Sequence, residues 1–211
     1  MSEAPILPQE IETESFRRIE AAVGPVGLPP EHWAVIRRMI HTSADTEYLQ
    51  TARLHPRAVA AGVAALKAGR PVFTDTRMLL AGISTGRLTR LKVTAQCLID
   101  APEVREAALA QGITRAAAAV DLALPRAAGG IMVIGNAPTA LRRVLLRLDE
   151  GWAPPALIVG IPVGFVDAAE SKAALAESPH TYITALGPKG GSAVAAGVIN
   201  ALAILALEEG T

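Results

Sequence analysis

Of the four histidines in this 211-residue chain, His41 stands where a side chain could move a proton. It closes an apolar helical pattern through Trp33, Ile36, Met39 and Ile40, and Arg37, Arg38, Thr42, Ser43 and Asp45 flank it. A histidine in such company titrates near neutral pH, and a neighbouring oxygen fixes which ring nitrogen holds the proton. The other three read as structural. His32 is an exposed residue at a helix start, His55 a loop or capping residue before Pro56, and His180 the approach to the last strand. Cys97 lies in an apolar run and is expected to be a buried small residue; a lone cysteine excludes an intramolecular disulfide and Cys-rich metal sites. No pair of His, Asp or Glu has metal-ligand spacing, no serine sits in a nucleophile elbow, and no Gly-Lys-Ser/Thr ending marks a P-loop. The chemistry on offer is acid–base transfer by one histidine, with no protein metal site.

A second set of residues points to an anionic ligand. Ile131–Ile134 runs into Gly135-Asn136-Ala137-Pro138-Thr139, Leu157-Ile158-Val159 into Gly160-Ile161-Pro162-Val163-Gly164-Phe165, and Thr181-Tyr182-Ile183-Thr184 into Gly187-Pro188-Lys189-Gly190-Gly191-Ser192. Each is an apolar strand, a glycine-turned loop and a helix. Glycine admits tight turns and close backbone approach, and helix N-termini attract anions. The loop amides at Asn136–Thr139 and Gly164 are therefore candidate binding groups. Acid-free stretches carry the cations Arg77, Arg87, Arg90 and Lys92, then Arg126, Arg142, Arg143 and Arg147. A solvated helix face is the default reading of both, but Arg87-Leu88-Thr89-Arg90 falls in a turn-rich segment where a guanidinium can clamp a carboxylate. Arg115, behind Thr114 at a helix start, could do the same.

The elements that position these residues follow from periodicity and punctuation. Residues 1–13 read as a loose polar arm and 14–211 as one domain. Helices are expected over 15–23, from Pro30 through Ile40, and over 56–68, 76–81, 102–110 and 114–124, with Ser43 or Asp45 capping a short helix after His41. Strands are expected over 71–74, 91–99 and the three runs above. Five strands with helical crossovers predict a three-layer α/β/α sandwich around a mainly parallel sheet, flavodoxin-like in architecture, with the loops on the carboxyl edge where such sheets bind ligands.

Composition removes several classes. Lys plus Arg and Asp plus Glu balance at 20 each and aromatics make up 3%, so neither charge nor stacking favours nucleic acid. The loop at 135–139 departs from Gly-x-Gly-x-x-Gly, which disfavours a nicotinamide or flavin cofactor. The N-terminus has acids where a secretory signal has basic residues and an apolar core, and the longest apolar stretch, 193–207, is too short to span a bilayer. A soluble, cytoplasmic protein with no membrane partner is the expectation.

Four blocks carry a resemblance: Arg38-Met39-Ile40-His41, Ile134-Gly135-Asn136-Ala137-Pro138-Thr139-Ala140-Leu141, Gly160-Ile161-Pro162-Val163-Gly164-Phe165-Val166 with Glu170-Ser171-Lys172, and Gly190-Gly191-Ser192. In order and spacing they resemble the precorrin-8X methylmutase family, from about Ser15 to the C-terminus. The resemblance implies an isomerase of cobalamin biosynthesis that moves a methyl group from carbon 11 to carbon 12 of a corrinoid ring, giving hydrogenobyrinate, or cobyrinate when the substrate holds cobalt. It also implies His41 as the proton-transfer residue, Ser15 and Arg38 as substrate-binding residues, no resident cofactor, and a homodimer with the active site near the interface. The Thr-Ser-Ala-Asp that follows His41 is closer to the cobalt-substrate branch. Physical reasoning adds Ser43, Arg77, Arg87, Arg115, Asn136, Thr139 and Gly164 to the binding set. Two alternatives use the same loops without His41: a non-catalytic corrinoid carrier, and a flavodoxin-like binder of a phosphosugar or nucleotide.

Overall fold

The computed structural model describes residues 10–208. Its sheet has six strands, not the expected five. β2 (Val72–Thr74), β3 (Ala95–Cys97), β4 (Ile131–Ile134), β5 (Leu157–Gly160) and β6 (Tyr182–Ala185) are parallel, and β1 (Ala52–Leu54) pairs antiparallel with β6. The order is β1-β6-β5-β4-β2-β3. Every residue of β4 and β5 is buried, as expected of strands covered on both faces, whose runs are apolar without alternation. β1 escaped sequence reading because three residues carry no usable period. Its outward Arg53 puts a charge on the sheet's edge, which discourages further pairing.

Successive strand residues feed opposite faces. Ile131, Val133, Leu157, Val159 and Ile183 pack under α2 (Pro30–Ser43), α4 (Ala58–Lys67) and α11 (Ser192–Glu208). Met132, Ile134 and Ile158 pack under α8 (Arg115–Ala123), α9 (Pro138–Asp149) and α10 (Ala168–Glu177). α7 (Pro102–Gln111) packs outside α8. The two layers are closed in different ways. α11 is apolar nearly all round and packs against α2, where Gly197 is required: a Cβ there would stand 2.7 Å from Thr42 Oγ1. On the other side Arg143 and Arg147 of α9 both clasp Asp121 of α8, and Arg142 pairs with Asp167. Those arginines, expected as a solvated face, tie helices together.

Several boundaries move. α1 (Ile11–Val23) begins at residue 11, so 11–13 are helical rather than part of the arm; residues 1–9 of that arm lie outside the described residues. The strand expected over 91–99 shrinks to β3, because Leu91 caps α6 (Thr85–Arg90) and Lys92 turns the chain at positive φ. Residues 87–90, expected in a turn, are helical. α5 (Arg77–Gly82) starts as read, with Thr76 accepting the Leu79 amide. The helix after His41 is α3 (Tyr48–Thr51), and neither Ser43 nor Asp45 is its N-cap, which is Glu47. His32 is half-buried rather than exposed, and Cys97 is half-buried, its thiol pushed up by burial.

Candidate active site

α1 lies across the end of α2 and contributes the face Glu12, Ser15, Phe16 and Ile19, residues spaced three and four apart. α2 answers with Arg37, Arg38 and His41 on its own facing turn. His41 Nδ1 stands 2.8 Å from Ser15 Oγ. The Phe16 ring meets the imidazole edge-on, with centroids 5.3 Å apart. The guanidiniums of Arg37 and Arg38 lie 4.1 and 4.8 Å from the Phe16 centroid, as cation–π contacts. Two adjacent cations are tolerable because each has its own acid: Arg37 pairs with Glu20, and Arg38 takes both oxygens of Glu12 at 2.6 and 3.0 Å.

This arrangement sets the proton chemistry. Ser15 occupies Nδ1, as donor to the neutral ring or acceptor from the charged one, and so leaves Nε2 for a ligand in either state. Burial and then the nearby Arg38 charge lower the His41 pKa, while Glu12 pulls the other way. Once protonated, His41 is a stronger acid than a free imidazole. Glu12 is itself held low by its hydrogen bonds to Arg38, with His41 and Arg87 of α6 adding to the attraction. Beside the imidazole lies a cavity of about 430 Å³, lined by Ile11, Ser15, Ile19, Ile40, His41 and Thr46 among others. Past the end of α2, Asp45 and Glu47 both bond Lys189 at 2.6 Å, which ties the histidine's segment to the loop after β6.

Ser15, Arg38, His41 and, through its charge on Glu12, Arg87 are thus brought together. Ser43 sits nearby but turns back to donate to Met39 O at 2.9 Å. Of the candidates, Ser15 and His41 line this cavity, whereas Arg38 and Arg87 lie behind them and the rest lie elsewhere. Arg77 pairs with Asp100 at the surface. Arg115 lines a separate cavity with Arg105, Leu109 and Ile113, and Thr139 bonds Thr114 at 2.9 Å.

The glycine loops prove largely self-satisfied. The amides of Gly135, Asn136 and Ala137 all donate to the buried Asp75 carboxylate, at 3.0, 2.8 and 2.9 Å. Burial raises the Asp75 pKa against the pull of those amides. Gly164 N donates to Pro188 O and Gly191 N to Ile161 O. Gly190 is needed for that approach, since a Cβ would lie 2.4 Å from Ile161 O. Among the described residues, no three of His, Cys, Asp or Glu are placed to hold a metal ion.

Sequence reasoning missed Glu12, which it assigned to the arm, Phe16 as the ring between Arg37, Arg38 and His41, and Asp75 as the acceptor for the loop amides. The Glu12/Phe16 spacing of four, once α1 is extended to residue 11, was the available signal.

The sequence pattern that defines precorrin-8X methylmutases matches residues 10–205. The chain belongs to the precorrin-8X methylmutase family. Cobalt-precorrin-8 methylmutase of Priestia megaterium is 40% identical over 201 residues, 95% of this chain and 89% of that protein. Precorrin-8X methylmutase of Pseudomonas aeruginosa is 40% identical over 197 residues, covering 92% of this chain and 94% of that one. The crystal structure of precorrin-8x methyl mutase from Thermus thermophilus superposes with a TM-score of 0.87 at 40% identity, over 96% of this chain and all of that one. Membership in this methylmutase family spans both helices that build the His41 site, because the matched residues begin at Glu10.

Proposed function

We propose that this chain is the isomerase of cobalamin biosynthesis that moves a methyl group from carbon 11 to carbon 12 of precorrin-8X or cobalt-precorrin-8, giving hydrogenobyrinate or cobyrinate. The observation that carries the reading is His41, held at Nδ1 by Ser15 beside Arg38 at the mouth of an open cavity. The substrate is a flat conjugated macrocycle fringed with acetates and propionates. Arg38 supplies a planar two-point clamp for one such carboxylate, and Arg87 a second positive charge. With the ring so oriented, protonated His41 donates from Nε2 to a ring C nitrogen. Electron density is drawn from the conjugated system, the methyl group shifts between adjacent carbons, and the rearranged tautomer is favoured. A positioned acid contributes about 10²–10⁴-fold. No electrons enter or leave, so the reaction calls for no resident redox cofactor; cobalt, where present, is part of the substrate.

A corrinoid is far larger than the cavity beside His41, which favours a site completed by a second subunit. Phe165 and Val166, 98% and 83% exposed on the loop after β5, and α1, which buries no residue, offer apolar surface for such a homodimer. Sedimentation at micromolar concentration tests that assembly. The strand order, with the five parallel strands running β3-β2-β4-β5-β6, supports a flavodoxin-like classification for a single domain that begins with α1. No single helix among the described residues is long and apolar enough to cross a membrane, in keeping with a cytoplasmic enzyme.

The test offers cobalt-free and cobalt-containing precursors side by side and follows the absorption spectrum. Catalytic conversion of either supports the reading and decides the metallation state. Stoichiometric spectral changes alone indicate a carrier, and indifference to corrinoids with phosphate binding indicates the third alternative. His41→Ala with wild-type turnover eliminates the proton-transfer role.

A further inference from the structure

The guanidinium that should receive a substrate carboxylate is already holding one. Arg38 is nearly buried, with 11% of its side chain exposed, and it is fixed in place: Phe16 covers one face and α11 approaches closely enough that a Cβ on Gly197 would lie 3.6 Å from Arg38 Cγ. Its partner is not fixed. Glu12 is 47% exposed and sits in the first turn of α1, a helix with no buried residue. The contact is the same two-point geometry that a free acetate or propionate group would adopt. Arg38 also has donors to spare, since its Nε is buried with no acceptor among the described residues.

We infer that Glu12 is an internal stand-in for one substrate carboxylate, occupying the Arg38 clamp in the empty protein and yielding it when the ligand binds. This rests on the corrinoid reading of the site and names a contact within it. The exchange replaces one carboxylate by another, so the charge that His41 feels is conserved. The imidazole is therefore poised the same way before and after binding, and Arg38 is never left as an unpaired, partly buried cation. Displacement of Glu12 also releases the first turn of α1 from α2, which opens the cavity on the side where Ile11 lines it. Glu12 acts through Arg38 and is a positioning residue, not a catalytic one.

Removing the stand-in removes the competitor. The test titrates hydrogenobyrinate, the proposed cobalt-free product, into the wild type, Glu12→Gln, Arg38→Met and the double variant, with affinity read from the absorption spectrum. Glu12→Gln is nearly isosteric and keeps α1's surface, and circular dichroism confirms folding of all four proteins. The expected result is binding about three- to tenfold tighter for Glu12→Gln, as befits loss of a partly exposed internal ion pair. The gain should vanish in the Arg38→Met background. A Glu12→Gln variant that binds as the wild type does, or more weakly, overturns the inference and makes Glu12 a permanent support for Arg38. A wild type with no affinity for the corrinoid overturns the functional reading instead.

Discussion

Lys172 places an ammonium group in the interior, and the cost of doing so has a measurable signature. It projects from α10 into the interior, fully buried, and its Nζ donates to Lys189 O at 2.5 Å. Burial alone lowers its pKa from the ordinary 10.5 to about 8. At pH 7 both folded and unfolded chains carry the proton, so the folded state bears the whole penalty, about 3 kcal/mol for a shift of that size. Between pH 8 and 10.5 the folded chain sheds the proton while the unfolded one keeps it, so stability rises with pH in that window. Lys172→Met keeps the stem's packing and abolishes the titration, but leaves Lys189 O without its donor at about 1–3 kcal/mol. The two effects offset each other at pH 7, so a single measurement there decides little. The difference between pH values is the test. Relative to Lys172→Met, the wild type should gain about 2 kcal/mol between pH 7 and pH 9.5. Other groups titrate equally in both proteins and cancel. Urea unfolding at fixed protomer concentration measures it. Parallel stability curves for the two proteins across that range would refute the reasoning and mean that Lys172 reaches water in solution.

The active-site electrostatics give a second expectation: Arg38→Met raises the His41 pKa and Glu12→Gln lowers it, since their charges act in those directions on the imidazole, and NMR titration of the ring protons reads both shifts. If protonated His41 is the donor, as proposed, the histidine limb of kcat/KM in the wild type lies below the ordinary imidazole range, with activity falling as pH rises through it. Asp75→Ala strips three loop amides of their acceptor and should cost about 1–3 kcal/mol in urea unfolding, chiefly from the buried Gly135 amide, since Asn136 is exposed and Ala137 half-buried and both can turn to water. Gly197→Ala forces Thr42 away from α11 and displaces the turn carrying Arg38 and His41. It should lower kcat about tenfold or more with the fold intact by circular dichroism, since small misplacements of catalytic groups are expensive.

Long apolar runs with clear punctuation were legible in sequence, because burial on both faces leaves no ambiguity about β4, β5 and β6. β1 was not, since its pairing with β6 comes from where α3 leaves the chain rather than from anything in Ala-Arg-Leu. The site divided the same way. His41 and Arg38 stand in a recognisable block and Ser15 where the resemblance begins, whereas Glu12 became visible only when α1 was seen to start at Ile11, five residues before Phe16. The loop amides misled for a physical reason: sequence shows how many donors a glycine turn offers but not whether an acid elsewhere has taken them. Asp75 comes from the end of β2, sixty residues before the amides it binds.

Asp75 and Glu12 are both carboxylates held by this chain's own donors, and the contrast between them places the ligand. At the gap between β2 and β4, where the parallel order reverses and such sheets ordinarily receive an anion, Asp75 is only 4% exposed and accepts three backbone amides. Displacing it would bury a tethered acid without partners, so those three amides are not free to receive an anion. Glu12 makes a bond of comparable quality, but nearly half of its side chain reaches water, so leaving Arg38 costs it little solvation. Burial, not bond length, separates a structural carboxylate from an exchangeable one. By that criterion Glu12 is the exchangeable carboxylate of the two, which favours the proposed corrinoid contact at α1 and α2, beside His41.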